Sequence, residues 1–253
     1  MAIKISVVTP SFNQARYLER TIASVLTQDY VNFEYLILDG GSSDRSEEII
    51  KRYSDRLTFW RSEKDNGQAA AIHDGFTRSS GDVLCWVNSD DMLLPGTLAK
   101  VGSFFEKHSD CRLLIGNSLR IDPEDRIIRR VYAYPLNHKR ILWWGTGFDQ
   151  PASFWRRDLY FQCGGINSVY QCFFDYDLYV RMSKYSRIHV LDDFLGALRI
   201  HAETKTATIP HVQTLERERV RRENGFYDRF ALLRHAIRFR NAIGFRWRQK
   251  MGR

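Results

Sequence analysis

Residues 83–87, Val-Leu-Cys-Trp-Val, form an unbroken apolar run that leads straight into Asn88, Ser89, Asp90 and Asp91. A short run of this kind suits a strand buried on both faces, as in the middle of a parallel sheet. In open α/β sheets, ligands bind at the C-terminal ends of such strands. Two adjacent carboxylates at that end are costly unless something positive lies against them. Hard divalent cations take oxygen ligands, and Mg²⁺-type sites often combine one or two carboxylates with substrate phosphates. The stretch therefore predicts a metal and phosphate site at the edge of a buried sheet.

The preceding sequence alternates strands and helices at short period. Residues 3–9 read as a first strand, closed by Pro10, Ser11, Phe12 and Asn13. Leu18, Ile22, Val25 and Leu26 then recur at helical spacing behind Asn13 as a candidate cap. Residues 33–38 read as a second strand, closed by Asp39-Gly-Gly-Ser-Ser-Asp44, whose two glycines free the backbone to approach a ligand. Asp44 and Glu47 have the spacing of a capping box for a short helix through Tyr53. Residues 57–60 read as a third strand, and Asp65-Asn-Gly67 turns into an Ala-rich helix ending near Ser80. This alternation marks right-handed βαβ units with helices on the faces of a parallel sheet. Parallel strands would gather Asp39, Asp65, Asp90 and Asp91 along one edge.

Beyond Pro95 the pattern changes. A helix carrying Leu98, Val101, Phe104 and Phe105 is followed by strands at 112–121 and 127–134, joined as a hairpin by Asp122-Pro-Glu-Asp125. Gln150-Pro-Ala-Ser-Phe-Trp155 leads to a short helix ending at Gly164-Gly165. A helix then starts near Phe174 with Asp175 and Asp177 in its first turn, and strands are expected at 188–191 and 194–200. The four cysteines (Cys85, Cys111, Cys163, Cys172) lack any Cys-x-x-Cys spacing and read as reduced thiols. No apolar run is long enough for a membrane span, and the N-terminus does not have signal-peptide form, so a cytoplasmic location is expected.

The ordered motifs, spanning residues 3–201, resemble those of the inverting family 2 glycosyltransferases. They are Ser6-Val-Val-Thr-Pro-Ser-Phe-Asn13, Asp39-Gly-Gly-Ser-Ser-Asp44, Asp65-Asn-Gly67, Asn88-Ser-Asp-Asp91, Gln150-Pro151, Phe174-Asp-Tyr-Asp-Leu-Tyr-Val-Arg181 and Leu198-Arg-Ile-His201. The resemblance implies a GT-A fold: a Rossmann-like, mostly parallel α/β sheet flanked by helices, with a small antiparallel insertion. It also implies transfer of a hexose from a UDP- or GDP-sugar to an acceptor hydroxyl, with Mn²⁺ or Mg²⁺ as cofactor. The acceptor expected is a saccharide or lipid-linked oligosaccharide, in surface polysaccharide synthesis.

On that resemblance Asp39 contacts the base and ribose, Thr9, Pro10 and Asp65 line the same pocket, and Gln68 is a further candidate for base contact. Asp175 aligns with the base that takes the acceptor proton, although Phe174 stands where the family often has Glu. The family's Asp-x-Asp is here Asn88-Ser89-Asp90, which places the metal mainly on Asp90. Asn88 then offers a neutral oxygen, or binds ribose or sugar, and Asp91 supports the metal ligand or binds sugar. His201 reads either as a structural histidine or as a group reaching the diphosphate or the metal. Gln150 and Pro151 either shape the acceptor pocket or simply begin a strand, and Trp143 and Trp144 either stack on a sugar or lipid or belong to the core.

Two rivals come from other classes. A sugar-phosphate nucleotidyltransferase would carry a Gly-rich basic signature after its first strand, where this chain has Pro10-Ser-Phe-Asn13. A degenerate protein that binds nucleotide-sugar without turnover is kept open by Asn88 and opposed by Asp175. A nicotinamide dehydrogenase is remote, because no Gly-x-Gly-x-x-Gly follows a strand.

Charge divides the chain into a transferase domain at 1–210 and a basic helical extension at 211–253. The extension holds twelve Arg/Lys against four Asp/Glu, an excess equal to the whole formal charge of +8. From Arg234 to Arg253 there are seven basic residues and no acid, interleaved with Ile237, Phe239, Ile243, Phe245 and Trp247. That pattern suits a helix on an anionic membrane surface, making the protein peripheral on the inner face. A docked solvated helix, an oligomer contact or a nucleic-acid patch fits the same composition; the reading adopted is membrane and not nucleic acid.

Overall fold

The computed structural model describes residues 3–226. The basic stretch 234–253 and its expected membrane contact lie outside the described residues. Among the described residues, 3–217 form one compact unit, and a second unit begins at Glu218.

The first half is built from β1 (Ile5–Ser11), α1 (Ala15–Leu26), β2 (Phe33–Asp39), α2 (Ser46–Arg52), β3 (Phe59–Ser62), α3 (Gln68–Arg78) and β4 (Val83–Trp86). β5 (Met92–Leu93), α4 (Thr97–Lys107), β6 (Leu113–Ile121), β7 (Ile127–Val131), α5 (His138–Trp144), β8 (Ser153–Arg156) and α6 (Arg157–Gln162) follow. The described chain ends with α7 (Phe174–Tyr185), β9 (Ile188–Arg199), α8 (Lys205–Thr208) and α9 (Pro210–Glu223). Among the described residues the strands make one sheet in the order β3-β2-β1-β4-β8-β6-β9-β5, with β7 paired to β6 off that path. The β3-β2-β1-β4 half is parallel throughout. β8 runs antiparallel to both β4 and β6, and β9 returns parallel to β6.

The apolar run of β4 is explained by its two faces, since successive side chains point to opposite sides of a sheet. Val83, Cys85 and Val87 enter a buried cluster with Leu18, Ile22 and Val25 of α1 and Leu98, Val101 and Phe105 of α4. Trp86 projects to the other face, 5.3 Å from the Trp155 ring, 6.3 Å from Phe76 of α3 and 6.2 Å from Phe174. Full burial of an aromatic or aliphatic side chain contributes about 1.5–3 kcal/mol, so the strand carrying the acidic motif is anchored on both sides.

Several expectations need adjustment. The Asn13 side chain does not cap α1; Asn13 has φ +53° and its Oδ1 accepts the Ser43 amide at 2.9 Å. Asp44 forms no capping box with Glu47; it accepts the Ser46 amide and, across the loop, the Ala15 amide at the start of α1, each at 2.9 Å. Both carboxylates and amides near helix starts were visible in the sequence, but their pairing is tertiary. The expected strands at 188–191 and 194–200 are one strand, β9, whose ladder with β6 shifts register at Gly116–Asn117. The third strand begins at Phe59, because residues 54–56 form a helical turn first.

Candidate active site

β1, β2 and β3 end side by side at Ser11, Asp39 and Ser62, and β4 delivers Asn88 next to them. Asp39 is 0% exposed and its carboxylate is fully engaged. It accepts the Ser42 amide at 2.9 Å, the Ser42 hydroxyl at 2.5 Å and the Ser62 hydroxyl at 2.7 Å. Asp39 thus fixes the loop that follows it. Gly40 donates its amide to Ser11 O, and a Cβ there would lie 3.2 Å from Asp65 Oδ1, so the Asp65 carboxylate sits directly over the glycine. Gly41 has φ +78° and abuts the Lys64 backbone, which reserves the position for glycine. Asp65 itself accepts the Gly67 amide at 2.7 Å, setting up the start of α3.

Thr9 is fully buried, its hydroxyl 2.9 Å from that of Tyr35, and Pro10 is buried beside it in β1. Phe12, in contrast, is 61% exposed just beyond the end of β1. An aromatic residue directly after a strand, in Pro10-Ser11-Phe12-Asn13, is its mark in the sequence.

Asn88 is the centre of a chain of hydrogen bonds. Gln68 Nε2 donates to Asn88 Oδ1 at 2.8 Å, and Asn88 Nδ2 donates to Asp91 Oδ2 at 2.9 Å. The other oxygen of Asp91 accepts the Arg199 amide at 2.9 Å. Asp91 is 1% exposed, and burial, with Asp90 beside it, raises its carboxyl well above the ordinary carboxylate range. It is therefore a support within the protein, while Asp90 is the carboxylate that keeps an accessible surface.

Asp90 Oδ2 lies 3.0 Å from His201 Nε2. Arg199 holds the same turn from below: its Nε donates to Asp90 O at 2.7 Å, and its Nη1 lies 2.5 Å from Asp125 of the β6–β7 loop. The Tyr17 ring stacks beneath, with the Arg199 guanidinium 4.9 Å and the His201 ring 4.7 Å from its centroid. Arg199 sits inside the Leu198-Arg-Ile-His motif, but no sequence signal showed that it would be buried under Asp90.

Among the described residues no group of three or more His, Cys, Asp or Glu side chains could hold a metal ion alone. The Asp90–His201 pair nevertheless fits a divalent cation whose other ligands come from a diphosphate. Cis donors of a cation with bonds of about 2.1 Å stand about 3 Å apart, the separation seen for this pair. His201 Nδ1 is buried with no partner among the described residues, so Asp90 alone addresses the ring nitrogens.

Asp175 enters from the other side. It lies in the first turn of α7, which packs against β4 through Phe174 and Trp86. Asp175 is half-buried, and desolvation pushes its carboxyl up to about 6 despite a hydrogen bond from the Tyr176 amide at 2.6 Å. Asp177, two residues on, is committed to Arg181 at 2.7 Å. The two acids of that helix start are therefore separated by environment as well as by motif. Gln150 donates to Trp86 O at 2.9 Å and carries a buried Oε1 with no partner among the described residues. Pro151, next to it, is buried in the same short turn. Trp143 and Trp144 are half-buried in α5, their rings 6.4 Å apart.

Known proteins resemble this chain in sequence and in fold. The family model described as glycosyl transferase family 2 matches residues 6–178, a range that holds Asp39, Asp65, Asn88, Asp90, Gln150 and Asp175. An uncharacterized glycosyltransferase of Rickettsia conorii is 25% identical over 213 residues, covering 79% of this chain and 34% of that protein. One of Rickettsia typhi is 23% identical over 227 residues, covering 84% and 69% respectively. The chain thus spans about a third of the length of the first of these relatives. Among solved structures, S. aureus TarS in complex with UDP-GlcNAc is similar at a TM-score of 0.69 and 18% identity, over 81% of this chain and 61% of that one. A mannosyltransferase from Pyrobaculum calidifontis in complex with GDP-Man and Mn²⁺ reaches a TM-score of 0.62 at 16% identity, over 82% and 60%. At such identities the likeness is one of fold: a curled, mostly parallel sheet with flanking helices. The match runs from β1 into α7 and takes in the loops at Asp39, Asp65 and Asp90, and it makes this chain a member of glycosyl transferase family 2.

Proposed function

We propose that the chain is an inverting, metal-dependent glycosyltransferase that moves a hexose from a nucleoside-diphosphate sugar to an acceptor hydroxyl. The observation that carries this reading is the placement of Asp175. A carboxyl raised to about 6 stands on the helix that packs against β4, and the loop after β4 presents Asp90 to His201, which follows β9. A base with that affinity is ionised at neutral pH and still accepts a proton readily.

The roles divide along the sheet edge. The Asp39 loop, Asp65, Gln68 and the exposed Phe12 would receive the nucleoside, and Asn88 would border the ribose and sugar. Asp90 and His201 would hold Mn²⁺ or Mg²⁺ together with diphosphate oxygens. When bound, the cation offsets the charge that grows on the departing diphosphate. Asp175 takes the acceptor proton as the hydroxyl oxygen bonds to the anomeric carbon and the carbon–oxygen bond to the diphosphate breaks on the opposite face. One displacement inverts the anomeric configuration.

The donors bound by TarS and the Pyrobaculum enzyme make UDP-GlcNAc and GDP-mannose the first sugars to try. The acceptor on this reading is a growing surface polysaccharide or a lipid-linked oligosaccharide. Asn88 had been the reason to consider a degenerate binding protein, but its amide has a structural task that an aspartate could not perform, donating to Asp91.

A panel of nucleotide-sugars with Mn²⁺ or Mg²⁺, read by melting temperature, tests the donor half, because a ligand of the folded state raises Tm. One class of nucleotide-sugar should stabilise the protein only when metal is present. No shift with any of them, or an equal shift in EDTA, counts against the proposal.

A further inference from the structure

The helix start that presents Asp175 has no side-chain cap, and a residue far along the chain holds the loop before it. Phe173 occupies the N-cap position of the 12-residue helix α7 and makes no side-chain capping bond. Glu216, in α9, instead holds the loop just ahead of the helix. Its Oε1 accepts the Gln171 amide at 2.7 Å, and its Oε2 accepts the amides of Cys172 at 2.9 Å and Phe173 at 3.0 Å. Lys205 holds the same loop from the segment in between, donating from Nζ to Gln171 O at 3.3 Å. The segment 201–216 therefore touches Asp90 through His201 at one end and the Asp175 loop through Glu216 at the other.

We infer that Glu216 is a positioning residue for the transfer reaction, locking residues 171–173 so that Asp175 is held in place at the sheet edge. The inference rests on Asp175 being the base, as proposed above. Three charge-assisted bonds to consecutive amides define a loop position far better than one, since each is stronger than a neutral hydrogen bond. The amides of Tyr176 and of Asp175 itself favour the ionised carboxylate, whereas the charge of Glu216 opposes ionisation of Asp175, in the same direction as burial. Misplacement of a catalytic group by about 1 Å can cost about 10²-fold in rate, which sets the size of effect to look for.

The test compares Glu216→Ala, Glu216→Gln and Asp175→Asn in the full chain. Release of UDP from UDP-GlcNAc and of GDP from GDP-mannose, each with Mn²⁺, gives kcat and the donor KM; amide exchange of residues 171–173 reports the loop. Glu216→Ala should lower kcat by about 10²-fold with donor KM within about twofold, and Glu216→Gln, which keeps one acceptor oxygen, should recover part of the loss. Exchange at 171–173 should accelerate while β4 stays protected. Unchanged kcat in Glu216→Ala, or a raised KM at unchanged kcat, overturns the inference while leaving Asp175 as base, provided Asp175→Asn is inactive. Turnover by Asp175→Asn instead defeats the base assignment itself. Should the alanine variant fail to fold, unchanged kcat or unchanged loop exchange in Glu216→Gln is equally decisive against the inference.

Discussion

The side-chain amide of Asn88 donates to Asp91 Oδ2 at 2.9 Å, and Asp91 is a carboxylate with 1% of its surface exposed. A second carboxylate at position 88 would remove that donor and set two acidic groups at hydrogen-bond distance. Leaving a buried polar group without its partner costs about 1–3 kcal/mol. Asn88→Asp should therefore lower the unfolding free energy by about that amount in urea titration at neutral pH. A variant as stable as the parent would show that Asp91 does not depend on this amide.

Asp90 and His201 come from strand ends 111 positions apart and meet at 3.0 Å. Asp90→Ala and His201→Ala should each remove the gain in UDP affinity that Mn²⁺ provides, a loss of about tenfold or more, or about 1.4 kcal/mol. In EDTA the variants and the parent should bind UDP with similar affinity. Calorimetric titration with and without Mn²⁺ reads this directly. Equal, metal-independent binding in all three proteins would rule out the cation site.

Glu34 is buried at the opposite end of the sheet, where Ser6, Lys4, Ser80 and Gly81 hydrogen-bond or pair with it. Burial alone would raise its carboxyl; these partners outweigh burial and hold it at about 2. A folded value depressed below the usual 4.5 stabilises the protein above pH 4.5, and that contribution is lost as pH falls toward 2. The contribution is on the order of 3 kcal/mol. Glu34→Gln should be less stable at pH 7 and should lose less stability than the parent between pH 5 and 2, roughly the window set by this shift. Parallel pH–Tm curves for the two proteins would refute the assignment.

Gly196, in β9, faces the turn that carries Gln150, and a Cβ there would stand 2.4 Å from the Pro151 carbonyl oxygen. Backbone cannot move aside as a side chain can. Gly196→Ala should cost about 1–3 kcal/mol and weaken transfer by displacing Gln150. A fully stable, fully active variant would mean that the turn is freer to shift than its packing indicates.

The parts of this molecule that were legible in the sequence are those governed by local pattern. The run at 83–87 announced a strand buried on both faces, and the structure puts β4 between β1 and β8. The loops at Asp39, Asp65 and Asp90 gathered at one edge because parallel strands leave no other arrangement. What the sequence did not reveal is long-range pairing. Asn13 and Asp44 have the chemistry of helix caps, yet each spends it across a loop, on Ser43 and Ala15. Arg199 lies between two apolar residues and Glu216 in a charged stretch, and only the fold brings one beneath Asp90 and the other onto the Asp175 loop. Asp91, read as either a support or a sugar contact, is buried and bonded to the Asn88 side chain and the Arg199 amide.

Asp175 carries the central claim. Its carboxyl, raised to about 6 by burial, must be ionised to accept a proton, so kcat/KM should fall about tenfold per pH unit below about 6 and level off above it. A raised carboxyl stabilises the fold below the unfolded value near 3.8 and loses that advantage as pH rises through 6. Asp175→Asn should accordingly be more stable than the parent at pH 8, by about 1–3 kcal/mol, with the difference shrinking toward pH 4.

The most direct measurement sets binding against turnover in that one variant. Asp175→Asn should bind its nucleotide-sugar with Mn²⁺ within a fewfold of the parent and show transfer reduced by about 10²-fold or more. Transfer within about tenfold of the parent, with binding intact, would contradict the assignment of Asp175 as the base.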